Sequence, residues 1–210
     1  MPKDTFLRLP KAKKLRIKNG AIETFNRLNY DEVTISDIVK DCDIPRGSFY
    51  QYFEDKFDVF KYLLAVVQED KIKYMSFWID KVGKIPFIEL YPEMFKAGLK
   101  FGRDFPKLYR LGYHLYAAQD KKVKEINDVL SKMGIDMMES YIIKDQYSGY
   151  TKADVNPRIV ATILYLINSR DILSMFYEGK TDSEIMMYIE EVLKIIQYGI
   201  ESETHNGKSV

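Results

Sequence analysis

The chain is short of the residues that do most protein chemistry. Cysteine occurs once, at Cys42, and histidine twice, at His114 and His205. A single thiol supports neither a disulfide framework nor a thiolate metal cluster. There is no Glu-x-x-His pair to ligate a di-metal bundle, and no glycine-rich phosphate loop. No cofactor and no metal is therefore expected, and an all-helical enzyme would lack a catalytic constellation. No apolar run approaches the ~18–20 residues that span a bilayer, and the basic N-terminus has no apolar core of a signal peptide. A cytoplasmic location without a membrane partner is expected. Strand-like alternation is missing, and the 11 glycines and 7 prolines act as punctuation between helices.

What is present is helical and soluble in character, with 46% hydrophobic and 30% charged residues. The net charge of +1 hides an asymmetry. Residues 1–30 carry eight Lys/Arg against two acids, whereas residues 31–60 carry three against eight. A basic first segment points to a polyanion partner. The periodicity predicts a first helix over 11–28, with Ile17, Ala21, Phe25 and Leu28 on one face. Thr34 is an N-cap with Asp37 three residues on. Behind it Ile35, Ile38, Val39 and Cys42 keep the i, i+3, i+4, i+7 spacing of a short helix. "DCDI" ends that helix, Pro45 opens another in its first turn, and Asp55 caps a long helix from Lys56 to about Asp80. About five more helices follow, giving about nine in all.

Two short helices joined by a tight turn, with a third behind, form a helix-turn-helix. In the second of them, "PRGSFYQYFEDKF", Phe49 and Phe53 stand at i, i+4 as core rings. Tyr50 and Tyr52 flank them with hydroxyls suited to phosphate oxygens. Arg46, Gly47 and Ser48 occupy the first turn, where arginine can grip guanine, glycine admits close approach and serine is an adaptable donor. Lys56 begins the next helix, a position suited to phosphate. The DNA-contacting set read from this pattern is Thr34, Ser36, Arg46, Gly47, Ser48, Tyr50, Gln51, Tyr52 and Lys56.

The stretch "TISDIVKDCDIPRGSFYQYFEDKFDVF" resembles the DNA-binding signature of the TetR family of transcriptional regulators. Thr34, Ile38, Gly47, Phe49, Tyr50, Tyr52, Phe53 and Lys56 fall at the family's offsets, and Val39 stands where alanine is usual. The resemblance covers about residues 11–60. It implies an all-α fold, with a helix-turn-helix domain at 1–60 and a helical ligand-binding and dimerisation domain at 61–210. The function it implies is a repressor that binds a palindromic operator in double-stranded DNA as a homodimer and responds to a small-molecule effector.

The body is rich in methionine and aromatic residues, and an adaptable apolar pocket is expected from them. Its candidate lining is Tyr74, Phe77, Trp78, Phe95, Phe101, Tyr109, Tyr113, His114, Met137, Met138 and Tyr141. Core packing is the plainer reading for any single one of these. Apolar stripes on the last two helices suggest a dimer interface, with Ile163, Leu166, Arg170, Ile189, Val192 and Ile196 as its candidates. A helical enzyme and a helical adaptor with a vestigial motif are the alternatives. Retention of Arg46, Tyr50, Tyr52 and Lys56 argues against the adaptor. Cys42 completes an apolar stripe and is expected to be buried and inert.

Overall fold

The computed structural model describes residues 1–199, apart from the side chains of residues 168–171. Among the described residues every regular element is an α-helix. In chain order they are α1 (Asp4–Leu7), α2 (Lys11–Arg27), α3 (Ile35–Asp41), α4 (Arg46–Tyr52), α5 (Lys56–Ile79), α6 (Phe87–Asp104), α7 (Pro106–Ala117), α8 (Lys121–Tyr147), α9 (Pro157–Tyr177) and α10 (Asp182–Tyr198). The all-α expectation holds, with ten helices in place of about nine. The short α1 accounts for the difference.

Packing divides the chain into two compact units. The first comprises residues 1–76 and 98–132, and the second begins with residues 77–97 and resumes at residue 133. In the first, α2, α3 and α4 close around Ile17, Ala21, Phe25, Ile38, Cys42, Phe49 and Phe53. Phe60 and Leu63 of α5 join them, and so do Leu111 and Leu115 of α7. Each fully buried ring contributes about 2–3 kcal/mol by leaving water, so the aromatic wealth of residues 45–60 is first of all a core.

Two local features set the angle between α2 and α3. Gly20 faces the end of α3 so closely that an added Cβ would meet the Asp41 carbonyl and lie 2.6 Å from the Cys42 Cα. Next to it the Thr24 hydroxyl donates to the Gly20 carbonyl at 3.1 Å and to the Asp41 carboxylate at 2.9 Å. The turn then passes through Asp43, whose φ of 51° lies in the left-handed region. Cys42 is fully buried, its thiol donates to the Ile17 carbonyl at 3.2 Å, and burial pushes its pKa up to about 12. As expected from its stripe, it is inert.

In the second unit Gly134 of α8 abuts the ring of Tyr165 on α9, which leaves no space for a side chain there. Tyr91 of α6 donates to the Leu164 carbonyl at 3.0 Å. The buried Asp145 carboxylate accepts the Phe87 N–H at 2.6 Å, which caps the start of α6, and burial raises its pKa. Arg158, in the first turn of α9, bonds Asp136 and Glu139 of α8. Thr181 and Glu184 form a capping box on α10. The Thr181 backbone N–H, with help from Lys180 and the Thr181 hydroxyl, holds the Glu184 carboxyl at about 2.

Candidate nucleic-acid interface

The helix-turn-helix is built from short-range rules. Thr34 accepts the Asp37 N–H at 3.2 Å while Asp37 accepts the Thr34 N–H at 3.0 Å, the reciprocal capping expected from the sequence. Pro45 is the N-cap of α4, just outside the helix, so α4 starts at Arg46. Ser48 N–H closes the first turn on the Pro45 carbonyl at 2.9 Å. Phe49 and Phe53 face inward with ring centroids 5.8 Å apart. The opposite surface carries Arg46, Gly47, Tyr50 and Gln51, all exposed. Arg46 donates to the Ser36 hydroxyl at 2.9 Å, so one base-reading candidate from each helix is already joined. No heavy atom lies within the reach of a Cβ at Gly47, which keeps that part of the surface open. Tyr50 is 44% exposed and stands edge-on to Phe49.

Two candidates sit elsewhere than expected. Tyr52 is only 5% exposed. Phe6 packs its ring against it at 6.1 Å, and the Lys13 ammonium lies 5.6 Å from its centroid. It is a packing residue, because α1 covers the flank on which it stands. Lys56 does not reach outward either. Its ammonium donates to the carbonyls of Tyr30 (2.9 Å), Asp31 (3.2 Å) and Val33 (2.9 Å) and lies over the Tyr30 ring at 4.7 Å. With three N–H donors in all, Lys56 ties the loop before α3 to the start of α5.

Several acids of residues 31–58 are engaged within the fold. Asp37 is a cap, and Thr34 holds its carboxyl below the usual range. Asp41 is opposed by burial, yet bonds from Arg27 and Thr24 outweigh this and lower its pKa. Asp31 accepts the N–H groups of Gln119 (2.8 Å) and Asp120 (3.2 Å). Asp55 caps α5 through the Asp58 N–H and pairs with Lys122 at 2.7 Å. None of them lies on α4, so the surface of α4 carries Arg46 without a competing carboxylate.

Sequence reasoning missed α1. Its signals were Asp4 in the first turn, an apolar Phe6-Leu7 pair and the stop at Pro10, too short a pattern to separate from a basic arm.

The expected effector residues are distributed over both units. In the first, Tyr74 packs edge-on to Phe101 at 5.5 Å and donates to Asp104 at 2.9 Å, while Tyr109 is half-buried and Tyr113 exposed. His114 is 1% exposed, and neither ring nitrogen makes a hydrogen bond of good geometry. Burial lowers its pKa, the Phe25 carbonyl works the other way, and Arg110 adds to the lowering. In the second unit, Lys81 lies over the rings of both Phe77 (4.2 Å) and Trp78 (4.8 Å). There Phe95 and Tyr141 are buried, Met138 is half-buried, and Phe77 and Met137 are exposed. The dimer candidates separate in the same way. Ile163 and Leu166 are exposed, Val192 and Ile196 are half-buried, and Ile189 is 1% exposed. Ile189 therefore belongs to its own chain's core and not to an outer face. The Arg170 side chain lies outside the described residues.

Residues 17–63 match the family model for bacterial regulatory proteins of the tetR family. No curated protein matches the chain. Solved structures with the same fold include a protein described as a TetR-family transcriptional regulator from Syntrophomonas wolfei. It has a TM-score of 0.76 and 19% identity over 92% of this chain and 98% of that one. A TetR-family transcriptional regulator from Chloroflexus aurantiacus has a TM-score of 0.63 and 21% identity, covering 95% and 98%. The transcriptional regulator FadR from Bacillus subtilis, solved with stearoyl-CoA, has a TM-score of 0.69 and 14% identity, covering 89% and 99%. All three are described as transcriptional regulators. Residues 17–63 therefore carry the DNA-binding region of bacterial regulatory proteins of the tetR family, and the chain shares the fold of solved TetR-family regulators.

Proposed function

We propose that the chain is a cytoplasmic repressor. It binds a twofold-symmetric operator as a homodimer through residues 1–60, and it leaves DNA when a small apolar or amphipathic effector enters the helical body of residues 61–210. The observation that carries this reading is the open first turn of α4, where Arg46 and Gly47 are exposed and Ser48 half-buried beside the exposed Ser36, on a helix without acids. Arginine in that position suits bidentate contact with guanine, and Tyr50 suits a phosphate oxygen.

Dimerisation is supported by apolar side chains left in water. Ile159, Ile163 and Leu166 are exposed along one face of α9, and Met187, Tyr188, Ile195 and Tyr198 along one face of α10. An exposed apolar patch of this kind marks an interaction surface, and two copies meeting isologously would bury it in a four-helix contact. By length and composition α9 could also span a bilayer. Arg158 in its first turn, and Arg170 and Asp171 further on, favour a second copy over lipid.

For the effector, the aromatic and methionine content of the body suits a long apolar chain. Stearoyl-CoA, the ligand of FadR, is the probe of choice. Such a ligand releases DNA only if it prefers the DNA-incompetent state. Helix α5 runs from the DNA-binding region toward Phe77 and Trp78 and would carry the shift, since paired recognition helices must sit about 34 Å apart.

The test is a selection of duplexes from a random pool, followed by a mobility shift on the enriched sequence with and without stearoyl-CoA. Enrichment of a twofold-symmetric site is expected, and the acyl thioester should release it with a change in Trp78 fluorescence. Failure to enrich any duplex would sink the reading as a whole. Release by neither stearoyl-CoA nor shorter acyl thioesters would sink the effector class alone.

A further inference from the structure

The recognition helix α4 is only seven residues long. A helix that short leaves its last carbonyls without intrahelical partners, and its negative pole would face water bare. Its own chain closes one of them, as the Phe53 N–H bonds the Phe49 carbonyl at 2.8 Å. The next three are taken by a segment nearly fifty residues earlier. The Lys3 ammonium donates to the Tyr50 carbonyl at 3.0 Å, the Thr5 hydroxyl donates to the Gln51 carbonyl, and the Lys3 N–H donates to the Tyr52 carbonyl at 2.9 Å. Lys3 thus sets a positive charge at the pole where a cation is favourable.

One residue beyond Thr5, Phe6 enters the core under the same helix. It is 1% exposed and meets Phe53 at 4.9 Å, Tyr62 at 5.2 Å and Tyr52 at 6.1 Å. Lys3, Thr5 and Phe6 lie outside residues 17–63, which carry the family match, whereas their partners lie within it.

We propose that Lys3, Thr5 and Phe6 form a clamp on the C-terminal end of α4 and are positioning residues for DNA reading. Caps and ring together fix the rotation of α4 about its own axis, and so the direction in which Arg46 and Tyr50 point. The side chains of Lys3 and Thr5 need not touch DNA for this. Their effect is on discrimination between sequences, because base contacts depend on orientation whereas phosphate affinity depends mainly on charge. The proposal rests on the DNA-binding reading above, and its test separates the two.

The first arm needs no DNA. Amide hydrogen exchange is followed in the wild-type chain, in the doubly substituted Lys3→Met/Thr5→Val chain and in Phe6→Ala. Lys3 and Thr5 are exposed, so the double substitution leaves the core intact. Its α4 amides from Phe49 to Phe53 should exchange about fivefold faster, as expected for two lost exposed hydrogen bonds. Those of α3 should be unchanged. Phe6→Ala should show the same pattern more strongly, and if it fails to fold the double variant alone decides. Unchanged exchange at Phe49–Phe53, or equal acceleration in α3, would overturn the clamp.

The second arm uses the duplex that wild-type protein enriches from a random pool, beside a scrambled duplex of the same length. A Thr5→Val chain keeps the full charge, so its binding to the scrambled duplex should be unchanged. Its preference for the enriched duplex should fall about fivefold, which corresponds to about 1 kcal/mol of lost base discrimination. Equal weakening on both duplexes, or no change on either, would reject the positioning role. Should wild-type protein enrich no duplex, the DNA-binding reading and with it the positioning role fail, while the exchange arm still decides whether the clamp holds α4.

Discussion

Arg46 of α4 donates to the hydroxyl of Ser36 on α3 at 2.9 Å, which joins the two helices of the DNA-binding motif on their outer side. The bond ties the guanidinium to Ser36, so under the proposed DNA-binding role the two side chains would meet the same base edge. Arg46→Ala should cost about 1–3 kcal/mol at one operator position and relax the preference there. Ser36→Ala should give a smaller loss at the same position. Binding measured against a set of operators with single base changes checks both. Loss spread evenly over all positions would assign Arg46 to phosphate instead.

Lys56 serves the fold. With its three donors on the Tyr30, Asp31 and Val33 carbonyls, Lys56→Met should lower stability by about 2–3 kcal/mol. The slope of DNA affinity against salt should stay unchanged, whereas loss of a phosphate contact would flatten it by about one unit. Urea unfolding and a salt titration separate the two roles.

Gly20 and Gly47 should answer an added methyl in opposite ways. At Gly20 the Asp41 and Cys42 backbone occupies the space, so Gly20→Ala should destabilise by about 1–3 kcal/mol and tilt α3. At Gly47 the space is open and φ is ordinary, so Gly47→Ala should fold normally and lose affinity only where backbone meets DNA. Thermal unfolding of the two variants side by side gives the comparison.

The buried His114 predicts a pH dependence of stability. Its folded-state pKa is lowered, chiefly by burial, so below about pH 6.5 the unfolded chain takes up a proton that the folded chain resists. Stability should therefore be unaffected by this group above about pH 6.5. It should fall as the pH drops below that value, by at most about 1.4 kcal/mol per pH unit, until the folded-state pKa is reached. His114→Leu should remove this slope. Denaturant unfolding between pH 5 and 7.5 tests it, and a slope that survives in the variant would exclude His114 as its source.

Two residues on the final helices should behave differently under the same change. Leu166 is 60% exposed, so Leu166→Lys should give a folded chain that sediments as a monomer. Ile189 is buried within its own chain, so Ile189→Lys should unfold it or drive it out of solution. A dimeric Leu166→Lys chain at micromolar concentration would move the interface away from this face of α9.

Much of this protein is determined locally and could be read from the chain alone. The Thr34–Asp37 box, the stripe Ile35–Ile38–Val39–Cys42 and the inward pair Phe49–Phe53 follow from residue type and a period of 3.6. The all-helical class and the motif follow with them, because each depends on residues within one or two turns. Tertiary structure decided what local spacing leaves open. Tyr50 and Tyr52 both flank the Phe49–Phe53 face, and only the docking of α1 with Phe6 buries one and leaves the other in water. Lys56 could have pointed to solvent, but the carbonyls of Tyr30, Asp31 and Val33, more than twenty residues earlier, hold it. On α10, Ile189 and Ile195 read alike in sequence, yet packing within the chain turns one inward and the other out. In each case the side chain is compatible with both surroundings, and the choice belongs to a partner distant in sequence that local pattern cannot name.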